Sequence, residues 1–188
     1  SRHSDKAMPL LNTLATPYAD ALLQVGEARG ATDALAEEAK ALLEAWNTSA
    51  ELRDAMRSPV LSVDGKKKAL TSLFSAGASP AMLNLLKLLA DRQRIGILDA
   101  VLERFLELHR ELRGITLAHV TSATALTEEQ QTKLTEKVKA VAGTASVDID
   151  MSVDPTLIGG FVVRLGSKVI DASLQGQVRR LGLSLARA

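Results

Sequence analysis

Apolar residues recur every three or four positions through the first 113 residues, which predicts helices, and then switch to alternation. After a polar stretch from Ser1 to Lys6, TPYADALLQVGEARG carries Leu14, Tyr18, Leu22 and Val25 on one stripe of a helix ending near Gly30. A second helix from Thr32 presents Leu35, Ala39, Leu42 and Trp46, with Glu37, Glu38 and Lys40 directed away. A short helix from Ser49 to Arg57 stops before Pro59, because the residue preceding proline is pushed out of the α region. Asp64 is the expected cap of a fourth helix with Leu70, Leu73 and Phe74. Ser79 and Pro80 open a fifth, since serine accepts from the free amides and proline has none to leave unsatisfied. A sixth, from about Ile95 to Arg113, turns Leu98, Val101, Leu102, Phe105, Leu108 and Leu112 inward before Gly114 stops it.

From Gly114 the period is two. Ile115, Leu117 and His119 share one face of a strand ending near Val120. Thr127 and Gln130 form a capping box for a helix carrying Leu134, Val138 and Val141 and ending at Gly143. Val147, Ile149, Met151 and Val153 alternate as a second strand. Phe161–Leu165 and Lys168–Ala172, joined by Gly166-Ser167, suit a type II′ hairpin. Ser173 caps a last helix with Leu174, Val178, Leu181 and Leu185. The expected class is α+β: a six-helix bundle over residues 1–113, then a small α/β domain over 114–188 with strands, a hairpin and two helices. A domain of 75 residues buries only roughly 60% of its unfolded surface, so the second part is expected to lean on a partner.

Composition narrows the chemistry. With no cysteine, disulfides, thiolate metal sites and cysteine nucleophiles are excluded. The net charge of +1 divides evenly, 15 basic against 15 acidic residues to position 113 and 8 against 7 beyond it. Neither half is a basic module for nucleic acid. Lys66, Lys67 and Lys68 form the one triple basic run, read as a solvated first turn. No apolar run approaches the roughly 20 residues that span a bilayer. A chain opening at Ser1, without an initiator Met, fits a removed targeting peptide or an artificial start.

Enzyme signatures are missing. GFVVRLGSK lacks the spacing and the following helix of a phosphate loop. His3, His109 and His119 are too far apart for a helical or finger-type zinc pair. His109 reads as a surface residue near a helix end, and His119 as a sheet histidine that finds a hydrogen bond. Asp148 and Asp150 alternate opposite the apolar set and read as solvent-facing, as do the pairs Glu37/Glu38 and Glu128/Glu129. No cofactor is expected. What is left is surface for protein partners. AMLNLLKLLA, with eight apolar residues in ten, must be enclosed by its own domain or by a partner. The first helix adds Ala15, Ala19, Ala21 and Ala28, small enough for close helix approach. These two helices are either core elements or the walls of a groove for a third.

TPYADALLQV, DRQRIGILDAVLERF, TSATALTEEQ and above all DPTLIGGFVVRLGSKVIDASLQGQVRRL resemble the delta subunit of bacterial and chloroplast ATP synthases, relatives of the mitochondrial oligomycin-sensitivity-conferring protein. The resemblance runs from about Leu14 to Leu183. It implies a non-catalytic stator subunit of a proton-translocating rotary ATP synthase, joining the catalytic head to the peripheral stalk. It implies that the N-terminal helix of an alpha subunit docks between the first and fifth helices, at Tyr18, Ala19, Leu22, Val25, Met82, Leu85, Leu86 and Leu89. It further implies that the C-terminal ends of b-type stalk subunits meet Gly159, Gly160, Gly166, Ser167, Val178 and Leu181. The expected location is the stromal face of a chloroplast thylakoid, with the cytoplasmic face of a bacterial membrane as alternative. The competing reading is an all-α interaction adaptor of another complex. On the groove reading, Leu22→Asp or Leu86→Asp weakens binding to the head.

Overall fold

The computed structural model describes residues 4–165 and 168–171. It is α+β, with six helices preceding a mixed unit of strands and one further helix among the described residues. The order is α1 (Ser4–Arg29), α2 (Thr32–Thr48), α3 (Ala50–Arg57), α4 (Val63–Phe74) and α5 (Pro80–Asp91), then a 3-10 turn (Ile95–Ile97) and α6 (Leu98–Arg113). β1 (Thr116–Ser122), α7 (Glu128–Ala142), β2 (Val147–Val153), β3 (Phe161–Leu165) and β4 (Lys168–Asp171) follow. Two compact units divide between Glu111 and Leu112.

All six helices of the first unit feed one core. Trp46, Phe105, Met56, Leu70, Met82, Leu86, Leu89 and Ile95 are among its largest enclosed side chains. The fifth helix is therefore enclosed by its own unit, with Met82, Leu85, Leu86, Leu89 and Ala90 buried. Several details depart from the sequence pattern. The buried face of α1 is Ala15, Tyr18, Ala19, Leu22 and Gly26, while Leu14 and Val25 lie outside it. Gly26 is required there: a Cβ would stand 2.9 Å from Thr32 Oγ1, 3.0 Å from Leu35 Cδ1 and 3.1 Å from Thr32 Cα of α2. Ser62, not Asp64, caps α4 through its hydroxyl and the Gly65 amide, and Leu73 is exposed. On α6 the inward face rotates to Leu106 and His109, leaving Leu108 half-buried and Leu112 exposed. His109 lies on the inward face of α6, only 5% exposed, and its Nε2 pairs with Asp33 Oδ1 at 2.9 Å across the helices.

In the second unit the strand order is β2-β1-β3-β4. β1 and β2, connected through α7, run parallel, and the other pairs are antiparallel. One face carries Ala118, Val120, Val163 and Leu165 against Leu134 and Val138 of α7. Thr127 and Gln130 make the capping box, and Gly143 closes α7 at φ +71. Val141 and Val153 are exposed, so the apolar stripes of α7 and β2 are shorter than their sequences suggest. Leu117, His119 and Thr121 occupy the opposite, polar face, where His119 Nδ1 meets Asp150 Oδ2 at 3.0 Å.

Candidate functional site

α1 is apolar on two sides. Its second apolar side is Leu10, Leu14, Pro17, Ala21, Val25 and Ala28, spaced four, three, four, four and three, and all exposed. Such spacing keeps residues on one helical face, so this is a continuous stripe. Leu10 is 71% exposed, Leu14 40% and Val25 37%. α5 packs beside α1. Val25 shares a shallow depression of about 100 Å³ with Pro80 and Ala81 at the start of α5. From Ala81 the same face of α5 continues to exposed Asn84 and to Leu88, 39% exposed. Tyr18, Ala19, Leu22, Met82, Leu85, Leu86 and Leu89 lie beneath this surface, in the contacts that hold the helices together. Of the eight groove residues expected from the sequence, Val25 alone reaches the surface.

Side chains fix the two helices in place. The Ser79 amide donates to Glu38 Oε1 at 2.5 Å and the Ser79 hydroxyl to Oε2 at 2.9 Å, so a carboxylate from α2 braces the start of α5. Glu38 is thus half-buried and engaged, not solvated as its place in the helical pattern suggests. At the other end Gln93 adopts φ 57, a left-handed conformation that glycine normally fills. The chain then returns so that Arg94 Nη1 donates to Tyr18 Oη at 2.8 Å, with the guanidinium 5.8 Å from the ring centroid.

In the second unit, Gly159 and Gly160 are consecutive left-handed residues at φ +61 and +68, an arrangement that side chains resist. They end the loop from β2 to β3, which is tied to β1 by Asp154 N–H to Ser122 C=O at 2.8 Å and Ala123 N–H to Gly160 C=O at 3.4 Å. The Thr156 hydroxyl and amide both donate to Asp154 Oδ1, at 2.6 and 2.9 Å, and hold that carboxyl below its usual range. A notch of about 380 Å³ lies between this loop and α7. Its floor includes Leu126, Leu134 and Phe161, with Lys133 and Lys137 on the rim. Gly166, Ser167, Val178 and Leu181 lie outside the described residues. Among the described residues, no group of three or more His, Asp or Glu side chains is arranged to hold a metal, and no helix is long and apolar enough to cross a membrane.

The family described as ATP synthase delta (OSCP) subunit matches residues 14–185. The chain belongs to this family. Similar relatives bear the name ATP synthase subunit delta. That of Synechococcus sp. (strain RCC307) is 83% identical over 181 residues, spanning 96% of this chain and all of that protein. Those of Parasynechococcus marenigrum (strain WH8102) and Prochlorococcus marinus (strain NATL1A) are 65% and 61% identical, each over 96% of this chain and 100% and 99% of theirs. A chain of the Toxoplasma gondii mitochondrial ATP synthase hexamer, solved by cryo-EM, shares the fold at TM-score 0.64 and 23% identity, over 92% of this chain and 97% of that one. As a delta subunit, the protein is a stator component of the rotary ATP synthase, structural and not catalytic, in a membrane-associated complex.

The delta subunit's exposed α1 stripe is hidden in the sequence because Leu14 and Val25 fit the same helical period as buried Tyr18 and Leu22. The signal is present in Leu10, Pro17, Ala21 and Ala28, a second set about a quarter turn away. Glu38 leaves no such trace, since its partner Ser79 lies 41 residues along the chain.

Proposed function

We propose that this delta subunit couples the catalytic head to the peripheral stalk through two separate surfaces. The outer faces of α1 and α5 receive an amphipathic N-terminal helix of an alpha subunit. The second unit, at Gly159, Gly160 and the segments around Gly166, Ser167, Val178 and Leu181, receives the C-terminal ends of b-type stalk subunits. The observation that carries the head contact is the continuous exposed apolar stripe from Leu10 to Ala28 on a helix whose other side is already buried. An apolar stripe of this kind calls for a partner. Tyr18, Leu22, Met82, Leu85, Leu86 and Leu89 support the groove from beneath, and contact belongs to Leu14, Val25, Ala81 and Leu88. A link that carries torque favours slow dissociation, which buried apolar anchors supply better than exposed ion pairs. The cyanobacterial relatives favour the cytoplasmic face of a bacterial membrane over a chloroplast stroma.

The test is calorimetric titration of an alpha-subunit N-terminal peptide into the full chain and into Val25→Asp and Leu14→Asp. Because both side chains already meet water in part, Leu14 at 40% and Val25 at 37% exposure, thermal melting should fall far less than for an aspartate in the core, while affinity falls by about tenfold or more, the effect of burying a charge at an apolar anchor. Affinity within twofold of the unmodified chain refutes the head contact.

A further inference from the structure

We propose that the notch beside α7 seats an anionic, amphipathic segment of the stalk partner, with apolar residues on its floor and carboxylates against Lys133 and Lys137. This rests on the reading that the second unit meets the stalk. The notch, about 380 Å³, is lined by two cationic side chains and, among the described residues, by no acidic one. Lys133 and Lys137 are four residues apart and so project from the same edge of α7, above Leu134. Lys133 reaches Glu129 at 3.3 Å, but both side chains are largely solvated. Such an exposed pair is worth little and exchanges readily for a carboxylate in a drier setting. Leu126, Leu134 and Phe161 give the apolar floor, and the loop above it is pinned at both Asp154 and Gly160, so the shape is in place before a partner arrives.

The sign of Lys133 and Lys137 calls for an acidic occupant. Residues 172–188 contain Arg179, Arg180 and Arg187 and no Asp or Glu, so they would bring like charge to Lys133 and Lys137. An acidic segment from another subunit has the complementary sign.

The absence of cysteine makes a site-specific probe simple. Thr124→Cys, at the rim, carries a photoreactive maleimide in the assembled ATP synthase, with Ser152→Cys on the polar sheet face as control. Crosslinking from Thr124 to an acidic, amphipathic segment of a b-type subunit is the expected result. Crosslinking to residues 172–188, to a segment without acidic residues, or to nothing overturns the proposal. A second measurement separates the notch from the stalk reading. Lys133→Glu with Lys137→Glu should lower affinity for purified b-type subunits by about tenfold or more in dilute buffer, and the loss should shrink at high salt. If the double variant and the unmodified chain bind the b-type subunits equally, the notch proposal fails and the stalk contact stands. If the unmodified chain binds none, both fail.

Discussion

Replacing Glu38 with alanine tests whether a single carboxylate sets the start of α5. Its two oxygens accept from the amide and the hydroxyl of Ser79, at 2.5 and 2.9 Å. A hydrogen bond to a charged group is worth roughly 1.5–3 kcal/mol net, so two in full would reach roughly 3–6 kcal/mol, and water competing at this half-buried site brings the sum below that range. The expected loss is about 2–3 kcal/mol for Glu38→Ala and about 1 kcal/mol for Glu38→Gln, which keeps one acceptor. The assay is urea unfolding followed by tryptophan fluorescence. Trp46 is the one tryptophan of the chain and is buried in the first unit's core, so the second unit is silent to this probe. With a slope near 2 kcal/mol/M, typical of a domain this size, the midpoint should fall by about 1–1.5 M for the alanine variant. Combining Glu38→Ala with Ser79→Ala should cost less than the sum of the two, with a coupling of about 1 kcal/mol or more. A midpoint that moves by less than about 0.2 M would refute the bracing role, because the bonds would then be replaced by water at no loss.

Three further outcomes follow from the same geometry. Gly26→Ala should lower the Trp46-reported stability by about 1–2 kcal/mol: alanine gains about 1 kcal/mol of helix propensity, but its Cβ meets Thr32 backbone at 3.1 Å, and overpacking costs more than that gain. Arg94→Ala, which removes the hydrogen bond and the cation over Tyr18, should cost about 1 kcal/mol and weaken the alpha-subunit peptide, with Tyr18→Phe about half as severe; equal peptide affinity would show that the clamp does not shape the groove. Asp154 titrates below its unfolded value, so its contribution is present above about pH 4 and is lost as pH falls through the lowered folded value. Hydrogen-exchange protection of the Thr156 amide should therefore decline in acid, and Asp154→Asn should remove that decline.

The helices and most of their caps, though not the cap of α4, were legible because they depend on neighbours in sequence. Ser79 with Pro80, the Thr127–Gln130 box and Gly143 each act within a turn of their own helix. What was not legible depends on distance. His109 has the position of a solvated helix-end residue, yet it faces inward and its Nε2 partner is Asp33, 76 residues away. His119 and Asp150 are likewise joined only by the parallel pairing of β1 and β2. The exposed stripe of α1 was obscured for a different reason. Leu14, Tyr18, Leu22 and Val25 form one helical series in sequence, but the bundle buries the middle pair and leaves the outer pair exposed. Periodicity locates an apolar side; it does not say where the core ends and a partner begins.

That distinction changes which substitutions report on coupling to the head. Leu22 and Leu86 are fully enclosed, so aspartate there places an unpaired charge in the core of the first unit. The penalty is of the same order as the whole stability of a domain, roughly 5–15 kcal/mol. Loss of binding in Leu22→Asp or Leu86→Asp would then report unfolding and say nothing of docking. Val25 and Leu14 avoid this, because on the isolated chain their side chains already meet water. On the proposed head contact, the same geometry would let a small bundle transmit force. One side of α1 is held by Leu22, Tyr18 and Gly26 against the bundle, and the exposed apolar side proposed for the partner is about a quarter turn away on the same helix. Load applied at Val25 therefore reaches the core through backbone hydrogen bonds and packed side chains, with no loop in the path.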